Sequence, residues 1–392
     1  MQNAGRDLVY GNGGFKSRLL LATHTGLPGH YDLRCERPRP CRSRRRNGRR
    51  PVTALRVAVL APVSWRVPPR HYGPWEQFAS LLTEGLVERG VDVTLFATAD
   101  SQTAAKLASV VPRPYSEDPE IDPKVSECLH IAQVFERAGE FDLIHNSFDF
   151  LPLTYTGLVT TPVLTTIHGF SSPRILSVYQ RYDSSNAYVS ISDADRHPSL
   201  HYLATIHHGI DTNAFSLHAT PGGYLLFFGR IHPDKGTVEA IDAAERCGIP
   251  LVIAGIVQDQ RYFEELVAPR LDGGRVSFVG PVGPAERLEL LGGADALLHL
   301  IRFDEPFGYS VVEAMACGTP VVAFRRGSMS ELIADGTTGF LVDDVDGAVA
   351  AVGRATALDR PAIRAQAVAR FGRERMVDAY IDAYEAVTRE RG

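Results

Sequence analysis

What this 392-residue chain lacks already narrows its function. No apolar run approaches the roughly 18 to 20 residues that a membrane-spanning helix requires. The longest one near the start, residues 19–22, is too short for a signal-peptide core, so neither a transmembrane segment nor export is expected. Cysteine is scarce and scattered: Cys35, Cys41, Cys128, Cys247 and Cys317 are odd in number and form no C-x-x-C. That argues against a disulfide framework and a zinc site, and a cytoplasmic location fits best. Basic charge is missing where a nucleic-acid binder would need it. Residues 1–50 carry 12 Lys and Arg against 3 Asp and Glu, which leaves 29 against 43 beyond them, a net −14 beneath the overall −5. An acidic body argues against general nucleic-acid binding.

The arginines gather in RCERPRPCRSRRRNGRR (34–50), nine in seventeen residues with almost no apolar content. Such a stretch cannot bury a core, so residues 1–53 read as a disordered Arg-rich extension. Two readings stay open: an arm for anionic lipid or nucleic acid, or an extension with no role of its own. Val52-Thr53-Ala54 stands just ahead of the first strand and looks like a natural start. The native chain is therefore expected to begin near Val52; an intact mass that includes residues 1–51, from the protein's own gene, would refute this.

Over the whole chain, 44% apolar and 22% charged residues make an ordinary balance, and the length suits two domains of roughly 150 to 200 residues. No repeat and no low-complexity segment follows residue 51. RVAVLA (56–61), VDVTLFAT (91–98), DLIHN (142–146), PVLTTIH (162–168) and AYVSIS (187–192) read as buried strands. Residues 75–89 place apolar positions at helical spacing and close on Arg89-Gly90. The rhythm then restarts with strands at 224–230, 250–255, 275–280, 296–301 and 319–324 and helices at 237–247, 262–268, 284–292 and 310–317. Strand alternating with helix predicts an α/β protein with two doubly wound, Rossmann-like domains: 54–211, 212–372, and a C-terminal helix over 373–392 that can pack back on the first. The joint lies near 209–221, and ligands should sit in a cleft beyond the strand ends.

EPFGYSVVEAMACGTPVVA (305–323) carries two glutamates eight positions apart. On one continuous helix they would stand about 12 Å apart along the axis and roughly 80° apart around it. A hydrolytic pair needs both carboxyls on one bond, about 5 to 9.5 Å apart. Pro306 and Gly308 instead keep Glu305 in a loop, with the helix starting near Tyr309. Phe307, Gly308, Tyr309 and Ser310 then offer free backbone N–H groups, an anion site suited to phosphate. Glu305 and Glu313 must face hydroxyls beside it. FGRIHPDKG (228–236) supplies Arg230 at a strand end and Lys235 five residues on, two cations for a diphosphate.

These residues carry a family resemblance. G-R-x4-K-G, E-P-F-G-x4-E-A-M-A-x-G-x-P-V-V-A and GSMSELIADGTTGFLV (327–342) resemble the retaining GT-B glycosyltransferases of family 4, over residues 55 to about 390. The resemblance implies that Arg230 and Lys235 bind the nucleotide diphosphate, that Glu305 with the Phe307–Gly308 backbone holds donor-sugar hydroxyls, and that Glu313 holds the ribose. It implies that His168, ending TTIHG, faces the donor sugar's reacting face. It further implies a nucleotide-sugar co-substrate, no separate cofactor, no metal, and a small-molecule, glycan or lipid-linked acceptor, peripheral membrane contact remaining open. Where relatives have G-G-x-E, this chain has Tyr72-Gly73-Pro74-Trp75-Glu76, and Pro74 removes a backbone donor. Trp75 either stacks on an acceptor or packs inward behind a helix opened by Pro74. His145 and Asp149 in HNSFDFLP are further acceptor-side candidates, with Gly73 and Trp75. Asp193–Asp195 is read as a loop or helix start and not as a metal-binding Asp-x-Asp. The rival readings are a nucleotide-sugar hydrolase or epimerase and a non-catalytic nucleotide-sugar-binding protein.

Overall fold

The computed structural model describes residues 55–70, 73–170 and 172–390, so the arginine-rich extension, the expected start at Val52 and Tyr72 lie outside the described residues. The first half runs β1 (Arg56–Leu60), α1 (Pro74–Glu88), β2 (Asp92–Phe96), β3 (Lys106–Ala108), α2 (Pro123–Glu136), β4 (Leu143–Asn146), β5 (Val163–Ile167), α3 (Leu176–Tyr182), β6 (Ala187–Ser190) and β7 (Tyr202–Thr205). The second runs β8 (Leu225–Phe228), α4 (Thr237–Cys247), β9 (Leu251–Ala254), α5 (Gln260–Tyr262), β10 (Val276–Gly280), α6 (Pro284–Gly293), β11 (Ala296–His299), α7 (Tyr309–Ala316), β12 (Val321–Phe324), α8 (Met329–Leu332) and β13 (Gly339–Val342), followed by α9 (Val345–Ala355), α10 (Arg360–Phe371) and α11 (Arg373–Glu390). All ten expected strands form. Three more, β3, β7 and β13, lie at sheet edges.

Every pairing between these strands is parallel. The sheets are ordered β3-β2-β1-β4-β5-β6-β7 and β10-β9-β8-β11-β12-β13. Each order reverses once, between β1 and β4 and between β8 and β11, so the loops after those four strands open a crevice at the strand ends. The apolar character of the strands follows from burial on both faces: Val57, Val59, Leu143, Leu225, Leu297 and Val321 are fully covered by helices.

The last helix does not stay with the second half. α11 lies on α1, where Val377 fits over Gly85 so closely that an added Cβ would stand 2.4 Å from it. Met376, Tyr380 and Tyr384 join the core formed by α1, β1 and β2. At the rim Arg89 donates to Asp378 (2.7 Å) and Glu374 (2.6 Å), and Arg373 to Glu88 (2.6 Å).

Candidate functional site

The loops after β8 and β11 meet at the second reversal. β8 ends before Gly229 and Arg230, and a short turn, Pro233–Lys235, brings Lys235 to the mouth of α4. β11 ends at His299, and the chain crosses to Glu305 before α7 starts at Tyr309 behind Gly308, whose φ of 106° is a left-handed conformation that glycine adopts without strain. The helix therefore opens where the two glutamates require it. Lys235 Nζ lies 2.6 Å from Glu305 Oε2, with both side chains largely buried, and 4.4 Å over the Phe303 ring. Arg230 donates to the Gln258 side chain from the loop after β9. The cations and Glu305 thus converge at one end of one sheet, beside the first turn of α7, whose leading N–H groups have no acceptor inside the helix.

Glu313 lies in the second turn of α7, 5% exposed. Its partner is Arg287 of α6, a residue whose role sequence reasoning missed because 26 positions separate the two. Burial raises the Glu313 pKa, and the Arg287 charge and hydrogen bond oppose that rise. The Arg287 guanidinium also stands 5.6 Å over Phe228 and 5.9 Å over Phe215. His299, buried under the same loop with its Nε2 3.9 Å from Glu305 Oε2, has its pKa lowered to about 4 by burial.

The first half brings His168, just after β5, to the crevice. Its Nε2 meets Ser147 Oγ at 2.7 Å and its Nδ1 meets His208 Nε2 at 3.3 Å, so both ring nitrogens have protein partners. Burial above all, and then the charges of His208 and His145, hold its pKa well below the usual range, which keeps the ring neutral at pH 7. Four rings form one column: Trp75 on His168 (5.4 Å, 24° between planes), His168 on His208 (5.1 Å, 25°) and His208 on Tyr309 (5.2 Å, 10°). Phe307 closes the base edge-on to Tyr309 and His208. His208 was overlooked because it falls where the sequence loses its periodicity; the His-His-Gly after β7 was the available signal.

Pro74 does open α1 at its first position, behind Gly73 at φ 148°. Trp75 is half-buried, packed on His168 and not in the deep core. Glu76 is the unexpected residue of this loop. It is 2% exposed, accepts from Ser64 Oγ (2.7 Å) and the Trp65 N–H (3.2 Å), and is pushed up to about 7 by burial. His145, expected on the acceptor side, is placed inside the protein: fully buried, with Nδ1 2.6 Å from Tyr384 Oη and Nε2 2.8 Å from Thr166 Oγ1. As the third residue of β4 its side chain turns into the α1–α11 interface and not to the strand end. Asp149 does stand past the strand end, at φ 125°, but its Oδ1 accepts from Tyr179 Oη at 2.7 Å.

The two halves touch across the crevice. A Cβ on Gly169 would lie 2.8 Å from Pro306, and Glu331 of α8 accepts from the N–H groups of Asp193 (2.9 Å) and Ala194 (2.7 Å) and pairs with His207 (2.9 Å). Asp193 Oδ1 takes the Thr205 hydroxyl at 2.5 Å, and the half-buried Asp195 is pushed up to about 7 by burial and then by Glu331. Among the described residues no group of His, Cys, Asp and Glu is arranged to hold a metal ion.

A crevice of this geometry can be compared with known proteins. Residues 76–214 match the model for Glycosyltransferase Family 4, and residues 211–375 match that for glycosyl transferases group 1. The chain is 34% identical over 194 residues to glycogen synthase of Mycobacterium tuberculosis, an alignment covering 47% of this chain and 46% of that protein, so it spans about half the length of this relative. It is 26% identical to the phosphatidyl-myo-inositol mannosyltransferase of Mycobacterium tuberculosis over 80% of this chain and 90% of that one. Among solved structures, a glycosyltransferase involved in avilamycin A biosynthesis superposes with a TM-score of 0.65 at 25% identity, covering 86% of this chain and 98% of that one. With two facing Rossmann-like sheets, a family match over each half and the 305–323 segment at the second reversal, the chain belongs to the GT-B glycosyltransferases of family 4.

Proposed function

We propose that the chain transfers a sugar from a nucleotide-diphosphate sugar to an acceptor with retention of anomeric configuration and without a metal ion. The observation that carries this reading is the convergence of Arg230, Lys235, Glu305 and the α7 N-terminus at one sheet reversal, with Glu313 one turn deeper. A diphosphate beside Arg230, Lys235 and the first N–H groups of α7 has its charge met from three directions. Glu305 then accepts from donor-sugar hydroxyls and Glu313, steered by Arg287, from the ribose.

In the retaining step the bond from the anomeric carbon to the diphosphate breaks and the bond to the acceptor oxygen forms on the same face. The acceptor's proton passes to the departing diphosphate oxygen. No carboxylate base is required, and the contribution of Arg230 and Lys235 is to stabilise charge that grows on the leaving group. His168, neutral, flanked by Trp75 and with its ring nitrogens held by Ser147 and His208, walls the reacting face and does not act as an acid.

The test is product formation from a panel of UDP-, GDP- and ADP-sugars with and without candidate acceptors. Donors are ranked first by thermal shift, since a ligand at 100 times its dissociation constant adds about 2.7 kcal/mol of stability. Product that forms only with acceptor present, and with the donor's anomeric configuration by NMR, is expected. Free sugar released at the same rate without acceptor would make the protein a hydrolase instead.

A further inference from the structure

His208 also helps wall a cavity at the connection between the halves. It measures about 100 Å³ and is closed by His207 and His208 after β7, by Arg370 and Phe371 at the end of α10, and by Arg375 in the first turn of α11. Its charge is not balanced. Arg375 is exposed and, among the described residues, its guanidinium has no hydrogen-bond or ion-pair partner. Arg370 donates only to carbonyls, of Leu332 (3.0 Å) and Glu331, and among the described residues no carboxylate pairs with it. Burial, and after it the nearby charge of Arg375, lower the Arg370 pKa. The Glu331 carboxylate is already engaged by His207 and by the N–H groups of Asp193 and Ala194. His208 itself is 2% exposed, and among the described residues its Nδ1 has no partner.

Two guanidiniums that repel each other beside a buried, unpartnered ring nitrogen are unfavourable until an anion joins them. We propose that this cavity binds a phosphate-sized oxyanion, as inorganic phosphate or the phosphoryl group of a monoester, held by Arg370 and Arg375 with His208 Nδ1–H as a third donor. Guanidinium forks match phosphate oxygens, and the volume admits that group but falls below the roughly 300 Å³ of an ordinary ligand pocket, which excludes a nucleotide sugar. The anion also sets the protons along the line. With His208 protonated at Nδ1, its Nε2 accepts from His168 Nδ1–H, and His168 Nε2 accepts from the Ser147 hydroxyl.

Phosphate suits the donor crevice as well, so the experiment must separate the two sites. Inorganic phosphate is titrated calorimetrically, at constant ionic strength, into the full chain carrying Arg230→Ala and Lys235→Ala. One phosphate should still bind, and adding Arg375→Gln should weaken it roughly ten- to a hundredfold. If the double variant does not fold, the wild-type chain decides: two phosphates bound, one of them lost with Arg375→Gln. Glycerol 3-phosphate titrated in parallel separates the sources, since binding that depends on Arg375 marks a monoester site, and binding by phosphate alone marks a free-ion site. Phosphate binding that disappears with Arg230 and Lys235, or that Arg375→Gln leaves unchanged, overturns the proposal.

Discussion

The two sheets reverse their strand order in the same way, at β1/β4 and at β8/β11, and surround the reversals with opposite chemistry. At β8/β11 the groups are charged and paired: Lys235 with Glu305, Arg287 with Glu313, Arg230 on Gln258. Near β1/β4 they are ionisable but held towards neutrality by burial. Glu76 rises to about 7, and His130 and His145 fall to about 4 and about 3. A paired charge can exchange its partner for a ligand at modest cost. A buried neutral group cannot, because ionising it means solvating a charge in the core. The second reversal is thus built to grip and the first to keep its shape, so substitutions at the second should register in binding and turnover and those at the first in folding and its pH dependence.

The largest effect is expected from Arg230→Ala. Among the described residues its one side-chain bond is to a neutral amide, so removing it strands no carboxylate there. Turnover should fall about 10²- to 10³-fold, the loss typical of a group that meets charge developing in the transition state, and donor binding should fall less. Steady-state kinetics beside calorimetric donor binding checks this. An equal loss in both would put Arg230 in ground-state binding alone.

Next in size is Glu76→Gln, on stability. The folded pKa of Glu76, about 7, lies above the ordinary carboxylate value, so its protonated form is favoured by folding. The stability linked to that proton is fully present below about pH 4.5 and is lost as pH rises through about 7. Glutamine keeps an acceptor for Ser64 and Trp65 and never ionises. At pH 8 the variant should be more stable than wild type by about 3 kcal/mol, with the difference vanishing towards pH 4.5. Urea denaturation at both pH values measures it; a difference that does not change with pH would mean that Glu76 is ionised in the folded protein.

Glu313→Ala should weaken nucleoside-diphosphate binding roughly ten- to a hundredfold, the loss of a hydrogen bond to a charged group, about 1.5 to 3 kcal/mol. It also releases Arg287, which can turn to solvent because its side chain is about one-third exposed. Unchanged affinity in a folded variant would remove Glu313 from the ribose.

The same contrast decided what the sequence could disclose. The second reversal is written in short segments, Arg230 to Lys235 and Glu305 to Glu313, because a loop and the helix it opens present their groups together. The strands announced themselves through burial on both faces, as in VLTTI and LLFF. The edge strand β7 did not, since Tyr202–Thr205 is only partly covered and shows no apolar run. α2 escaped for a related reason: Val125 and Leu129 are exposed while Ser126 and His130 are buried, which blurs its apolar face. The first reversal is assembled from distant pieces: Ser147 with His168, His168 with His208, His145 with Tyr384. Separations of 21, 40 and 239 positions leave no local pattern to read. His145 was misplaced for that reason, since its position at a strand end is visible in sequence and the helix covering it is not.

Tyr384→Phe tests that distant assembly, with the smallest effect. The hydroxyl on α11 meets His145 Nδ1 on β4 at 2.6 Å, and both residues are fully buried. Removing it leaves one ring nitrogen without a partner where water does not reach, at a cost of about 1 to 2 kcal/mol. Tyr380→Phe should cost less, because Thr166 Oγ1, which loses that hydroxyl, keeps His145 Nε2 at 2.8 Å. The two losses should not add, since both act through Thr166 and His145. A double-mutant cycle by urea denaturation measures the coupling, and calorimetry should find nucleotide affinity within about twofold of wild type in all three variants. A larger drop in affinity would show that the packing of α11 on the first half is transmitted to the donor site, and the division between a gripping reversal and a shape-keeping one would fail.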